Sequence, residues 1–346
     1  MVRILLATSK LDFQELVERA IRADPATKLV GVARSGAAAI AMARDLSPDI
    51  VIMELQLGDS AETVREIMIL APAPIVMVSR EDREELGAVC ARALEAGALA
   101  VIPAPIDGRL EEAAMDKFLS TIKAMTQVKV VRQWRRKAEL NRRTDSTAPA
   151  VRNTPISIVG IAASTGGPAA IRSILMKVSA SFPAPILIVQ HMSSGYIEGV
   201  AASLDATVPL NVKVATNGER LRPGTVYLAP DCYQLGVSGR SRIRVTDDAP
   251  VGGFKPSGSY LFGSIARAFK DESLAVVLTG MGDDGTKGLR SLRKAGGKAI
   301  AQDEKSSIVF GMPKAAIGAG LVDFVLPLQS IAEKIVAMAE GGMNGS

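Results

Sequence analysis

The feature that most constrains this chain is a rhythm. Short apolar runs rich in β-branched residues alternate with longer stretches whose apolar positions recur every three to four residues. In the first 125 residues Val2–Ala7, Lys28–Ala33, Ile50–Glu54, Ile75–Val78 and Ala100–Pro103 have the length of strands, and their continuous apolar character suits strands buried on both faces. Between them Leu11–Ala23, Ser35–Asp45, Glu62–Leu70 and Glu84–Ala96 have helical spacing. Buried strands that alternate with helices are the pattern of a parallel, doubly wound sheet. Residues 1–125 are therefore expected to form a flavodoxin-like (βα)5 domain that ends in a helix starting near Leu110.

The character then changes. Between Thr126 and Arg152 lie Lys129, Arg132, Arg135, Arg136, Lys137, Arg142, Arg143 and Arg152 against only Glu139 and Asp145, an excess larger than the net +5 of the whole chain. The positive charge is thus local, and with one Trp and no repeated aromatics it describes a solvated linker over 126–153 rather than a nucleic-acid surface. Cys90 and Cys232 have no ligand-like spacing, so the sequence calls for no disulfide framework, metal or cofactor. The apolar run Ile4–Ala7 is too short for a signal-peptide core, and no run approaches a membrane span. A cytoplasmic protein, not inserted in a membrane, is the expectation.

From residue 154 to 346 the α/β rhythm resumes. Ile156–Ala162, Ile186–Gln190 and Leu274–Thr279 are strand-like, each followed within a few residues by Gly and then a helical pattern. Val226–Ala229 is a further strand, and Gln234–Val237 with Arg242–Val245 make a hairpin around Ser238–Ser241. Leu328–Ala339 closes the chain as an amphipathic helix. A second doubly wound, mostly parallel α/β domain is expected.

Three residues at strand ends in this half carry chemistry. Ser164 follows Ile158–Ala163 and leads through Thr165-Gly166-Gly167-Pro168 into a helix, which puts it at the carboxyl edge where open α/β sheets place their sites. The helix amino terminus there offers N–H groups to a developing oxyanion. Ser-Thr-Gly-Gly alone describes a capping or phosphate-binding loop equally well. His191, the only histidine, follows Ile186–Gln190 at the same edge, and imidazole is the usual base for a serine hydroxyl. A third strand runs into Thr279-Gly280-Met281-Gly282-Asp283-Asp284-Gly285, so either aspartate is available to orient the imidazole while the other caps the helix near Thr286.

These and neighbouring motifs resemble the CheB family of chemotaxis methylesterases. The resemblance is carried by Ala163-Ser164-Thr165-Gly166-Gly167, Gln190-His191-Met192, Ala229-Pro230, Leu278–Gly285, Ala301-Gln302-Asp303-Glu304 and Phe310-Gly311-Met312-Pro313, in order along Ile156–Ala339. It implies hydrolysis of glutamate methyl esters on methyl-accepting chemoreceptors, and in some members deamidation of receptor glutamines. It makes Ser164 the nucleophile, His191 the base and Asp284 the acid, with Thr165 and the Met281 backbone at the oxyanion and substrate edge. The chain departs from the family at Ala162, where Gly is usual, at Lys255-Pro256-Ser257-Gly258-Ser259 for Arg-Pro-Ser-Val-Asp, and at Ser193-Ser194 for the common prolines. These departures bear on substrate contacts. They leave room for a family hydrolase acting on another protein, or for a non-catalytic scaffold.

The first half resembles response-regulator receivers, including Pro48-Asp49-Ile50-Val51-Ile52-Met53. Where a working receiver has an acidic pair, a phosphoryl-accepting Asp, a Ser/Thr and a Lys, this chain has Thr8 and Ser9, Glu54, Ser79, and Ala104 before Pro105. Only Ser79 fits. Neutral Thr8 and Ser9 supply no charge for magnesium, Glu54 sets its carboxylate out by one C–C bond, roughly 1.5 Å, and Ala104 is no cation. Asp49 starts its strand and lies at the opposite edge. The expectation is a receiver-like domain that is not phosphorylated and instead binds chemotaxis signalling proteins.

Overall fold

The computed structural model describes residues 1–79, 87–104, 111–126 and 154–341. The first unit runs β1 (Val2–Ala7), α1 (Leu11–Ala23), β2 (Thr27–Ala33), α2 (Gly36–Leu46), β3 (Ile50–Glu54), α3 (Ser60–Leu70), β4 (Ile75–Ser79), α4 (Gly87–Ala96), β5 (Ala100–Pro103) and α5 (Glu111–Met125). Its strands are all parallel in the order β2-β1-β3-β4-β5, the flavodoxin-like order. Successive side chains serve opposite faces. Leu5, Val51, Met53 and Met77 pack with α2, α3 and α4, while Ile4, Leu6, Ile52 and Val78 pack with Phe13, Val17 and Ile21 of α1 and Phe118 and Ile122 of α5. Ser35 and Asp59 cap α2 and α3 by accepting the Ala38 and Glu62 N–H groups.

The second unit contains β6 (Ile158–Ala163), α6 (Gly167–Leu175), β7 (Ile186–Gln190), α7 (Ile197–Thr207), β8 (Asn211–Val214), β9 (Thr225–Leu228), β10 (Gln234–Ser238), β11 (Arg242–Thr246), α8 (Gly258–Phe269), β12 (Ser273–Val277), α9 (Thr286–Lys294), β13 (Lys298–Gln302), α10 (Met312–Gly318), β14 (Phe324–Leu326) and α11 (Leu328–Ala339). Seven parallel strands are ordered β14-β13-β12-β6-β7-β9-β8, and the expected hairpin β10–β11 stands apart as an antiparallel ribbon. The chain turns outward in both directions from β6, so the crevice beyond the carboxyl ends of β6 and β12 is the switch point where such sheets place their sites.

Most elements match the sequence reading to within two residues. Leu274–Thr279 is shorter than expected: the strand stops at Val277, and Leu278 and Thr279 instead begin the loop that packs beside Ser164. Strands β8, β13 and β14 are not among the elements expected from the sequence. β8 and β14 are short edge strands only partly buried, which blurs their apolar signal. The start of the helix expected at Glu84 and all but Thr126 of the expected basic linker lie outside the described residues. Among the described residues, no helix is long and apolar enough to cross a membrane.

The two units meet along α4 and β5. Gly87 of α4 lies against Gly199 of α7 so closely that a Cβ on Gly199 would fall 2.2 Å from the Gly87 carbonyl carbon. Around this crossing Ser203 Oγ donates to Glu95 at 2.7 Å, Arg172 lies 3.6 Å from the same carboxylate, and Tyr196 joins the first unit's core.

Candidate active site

Ser164, His191 and Asp284 leave the carboxyl ends of β6, β7 and β12, the three central neighbours in the sheet. Backbone pairing holds their loops in register. The Ser164 N–H donates to the Thr279 carbonyl (3.1 Å) and the His191 N–H to the Ala163 carbonyl (2.9 Å). Gln190, buried at the end of β7, donates its amide to the Ser164 and His191 carbonyls at 2.9 and 2.8 Å. Gly280 must lack a side chain, because a Cβ there would sit 2.7 Å from the Ser164 Cβ. The Phe310–Pro313 motif locks that glycine further: the Gly311 and Met312 N–H groups donate to its carbonyl.

The structure separates the two aspartates. Asp284 is 5% exposed and bonds His191 Nε2 through Oδ2 at 2.9 Å, whereas Asp283 is exposed. Asp283 caps α9 only through its backbone carbonyl, which accepts from Thr286; the N-cap position belongs to Gly285. Burial by itself pushes the Asp284 carboxyl up. The hydrogen bond and charge of His191, with donors from Ser257 and Ser259, outweigh it and bring the pKa down from 3.8 to about 2. Asp284 is thus a carboxylate that only accepts, so the imidazole proton sits on Nε2. In the neutral ring Nδ1 is then the acceptor, and it is buried with no hydrogen-bond partner among the described residues. Phe254 stacks on the imidazole, with centroids 4.6 Å apart and planes 8° from parallel.

A folded pKa below the unfolded one stabilises the protein above the unfolded value, and that stabilisation disappears as pH falls through the folded value. Asp284 therefore contributes about 2 kcal/mol at neutral pH, lost between pH 3.8 and about 2. Urea midpoints measured across pH 2–6 should fall less steeply in Asp284→Asn than in the parent.

The segment Lys255–Ser259 turns out to serve Asp284 rather than the substrate side. Ser257 Oγ and the Gly258, Ser259 and Gly285 N–H groups all donate to its carboxylate. In the sequence this segment stands out only as a departure from the family; Ser257, an N-cap type residue before an apolar helix, is the available signal. Phe254 gave none. Ser193, at a second departure, donates its hydroxyl to the Val101 carbonyl of β5 at 3.0 Å and so ties the His191 loop to the first unit. Thr165 is buried, and its carbonyl accepts from Thr279 Oγ1. Met281 is 46% exposed. A cavity of about 330 Å³ lies over Ser164, Thr165 and His191, and its far wall is formed by Leu94, Val101 and Ile102 of the first unit.

In the first unit, the Thr8 hydroxyl donates to Glu54 Oε2 at 2.7 Å and the Ser9 N–H reaches the same oxygen at 3.4 Å. Thr8 and Glu54 are fully buried, Ser79 is buried on β4, and the Ala104 N–H pairs with the Ser79 carbonyl.

A serine, an imidazole and a buried carboxylate thus stand at one sheet edge of a two-unit α/β protein whose first sheet has the flavodoxin-like order. The sequence profile described as CheB methylesterase matches residues 159–335. The chain is 71% identical over 345 residues, 99% of this chain and 97% of the other, to the protein-glutamate methylesterase/protein-glutamine glutaminase of group 3 operon of Rhizobium meliloti (strain 1021). It is 44% identical to protein-glutamate methylesterase/protein-glutamine glutaminase 4 of Myxococcus xanthus (strain DK1622), covering 98% of each chain. The crystal structure of the Thermotoga maritima CheB methylesterase catalytic domain resembles it with a TM-score of 0.51 at 39% identity, over 53% of this chain and 98% of that one. The chain belongs to the CheB methylesterase family.

Proposed function

We propose that this protein hydrolyses glutamate methyl esters on chemoreceptors, and the corresponding glutamine amides, with Ser164 as nucleophile, His191 as base and Asp284 as orienting acid. The observation that carries the reading is the buried, unpartnered His191 Nδ1 in an imidazole whose Nε2 is held by an ionised Asp284. Nδ1 takes the Ser164 proton as Oγ bonds to the ester carbonyl carbon. Asp284 stabilises the imidazolium, and N–H groups at the start of α6 beside Thr165 face the oxyanion. Collapse breaks the C–O bond, and the proton passes from Nδ1 to methoxide, which leaves as methanol. Water then attacks the acyl-serine by the same route, returning Ser164 and a glutamate carboxylate. In the amide reaction the leaving group is ammonia. In chymotrypsin-type triads the acid holds Nδ1 and Nε2 serves the serine; the ring here is used the other way round. Methanol release from methylated receptor fragments, present in the parent and absent in Ser164→Ala, tests the reading.

The first unit acts as a lid that responds to a partner rather than to phosphorylation. Leu94, Val101 and Ile102 line the cavity that Ser164 and His191 also line. The Glu54 carboxylate is spent on Thr8 and Ser9. Acetyl phosphate with magnesium is expected to leave both the protein mass and the ester hydrolysis rate unchanged, while residues 154–346 alone outpace the full chain on receptor fragments. Hydroxylamine-sensitive phosphate on the first unit, or equal rates, would count against it.

A further inference from the structure

Asp284 is seated on the amino terminus of α8. Gly258, the first residue of the helix, donates its N–H to Oδ2 at 2.6 Å, while the capping Ser257 hydroxyl and the Ser259 N–H donate to Oδ1 at 2.8 and 3.0 Å. The opposite side of Gly258 faces the sheet. A Cβ built on it would lie 2.6 Å from the Ala162 Cβ and 3.4 Å from Asp284 Oδ2. Non-bonded carbons settle at about 3.5–4.0 Å, so a side chain there has to displace something. Ala162 cannot yield: it lies on β6, paired with Val277 of β12 on one side and Val189 of β7 on the other, and its methyl has no other rotamer. Asp284 is held from outside α8 on Oδ1 by the Gly285 N–H and on Oδ2 by His191. The part free to move is the first turn of α8, which carries the donors.

We infer that Gly258 is a positioning residue for hydrolysis: its bare Cα, resting on the Ala162 methyl, sets how close the α8 amino terminus comes to Asp284, and through Asp284 it sets where the imidazole stands. The inference rests on Asp284 being the acid of the reaction. It concerns kcat rather than substrate binding, because Gly258 and Ala162 are both buried behind the carboxylate, away from the cavity over Ser164.

A double-mutant cycle in the full chain tests it, with thermal unfolding followed for each variant. Gly258→Ala is expected to lower kcat about 10- to 100-fold, as displacements approaching 1 Å do, with KM within about 3-fold of the parent. The rate at which a phosphonate labels Ser164 should fall in step. Adding Ala162→Gly removes the opposing methyl and should bring kcat back to within about 3-fold of Ala162→Gly alone, the mark of two residues coupled through one contact. A parental kcat in Gly258→Ala, or a loss that Ala162→Gly does not restore, overturns the inference. Should Gly258→Ala fail to accumulate as folded protein, Ser257→Ala withdraws a donor from the same seat without adding an atom; it should lower kcat with KM retained, and an unchanged kcat would equally overturn the inference. Failure of the underlying triad reading looks different: methanol release would then survive Ser164→Ala whatever happens at position 258.

Discussion

Ser164→Ala is expected to lower kcat for methanol release by about 10⁴–10⁶, and His191→Ala to do nearly the same, because neither residue accomplishes much without the other. The serine needs a base, and the only histidine in the sequence presents a buried nitrogen with no hydrogen-bond partner among the described residues. The double variant should therefore be little slower than either single one. Both substitutions leave the strand pairing intact, so far-UV circular dichroism should stay close to the parent; the unfolding midpoint should also stay close in Ser164→Ala, whereas His191→Ala, which removes a partner of the buried Asp284 carboxylate, should unfold earlier. A serine-directed phosphonate should label Ser164 in the parent. Full activity in Ser164→Ala, or labelling at another serine, would end the assignment.

Asp284→Asn should cost on the order of 10⁴ in kcat, the size of effect seen when a triad carboxylate becomes an amide and fixes the wrong imidazole tautomer. The geometry gives the reason. Three donors, from Ser257, Ser259 and Gly285, converge on Oδ1, so an asparagine places its oxygen there and its NH₂ where Oδ2 was. That NH₂ then faces His191 Nε2 and the Gly258 N–H, both of which had been donors to Oδ2. The ring can satisfy it only by moving its proton to Nδ1, the nitrogen that has to accept from Ser164. Asp283→Asn, at an exposed position, should leave kcat within about 3-fold of the parent. Steady-state kinetics on methylated receptor fragments distinguishes the two, and the reverse order would move the role of acid to Asp283.

How much of this could be read in advance differs residue by residue. Val2–Ala7, Ile50–Glu54, Ile186–Gln190 and Leu328–Ala339 were legible to the residue, because fully buried strands and one-sided helices write their burial into local composition. The short edge strand Phe324–Leu326 was not, since half of its surface belongs to solvent. Ser164 and His191 were legible because each ends an apolar strand, and strand ends in a parallel sheet share one edge. The choice between Asp283 and Asp284 was not decided by residue physics, because adjacent residues in a loop have the same composition and differ only in which way they point.

The sequence by itself determined two wound parallel sheets and the edge at which Ser164 and His191 lie, both of which follow from local patterning, while Thr8, Ser9, Glu54 and Ala104 stand out only against the resemblance to response-regulator receivers. Only the tertiary structure decided which imidazole nitrogen is free, that Phe254 stacks on that ring, that Ser257 and Gly258 hold the Asp284 carboxylate, and that residues of α4 and β5 line the cavity. Each of these joins residues far apart in the chain, and a contact across that separation depends on distances and directions set by packing, which no local run of residues records.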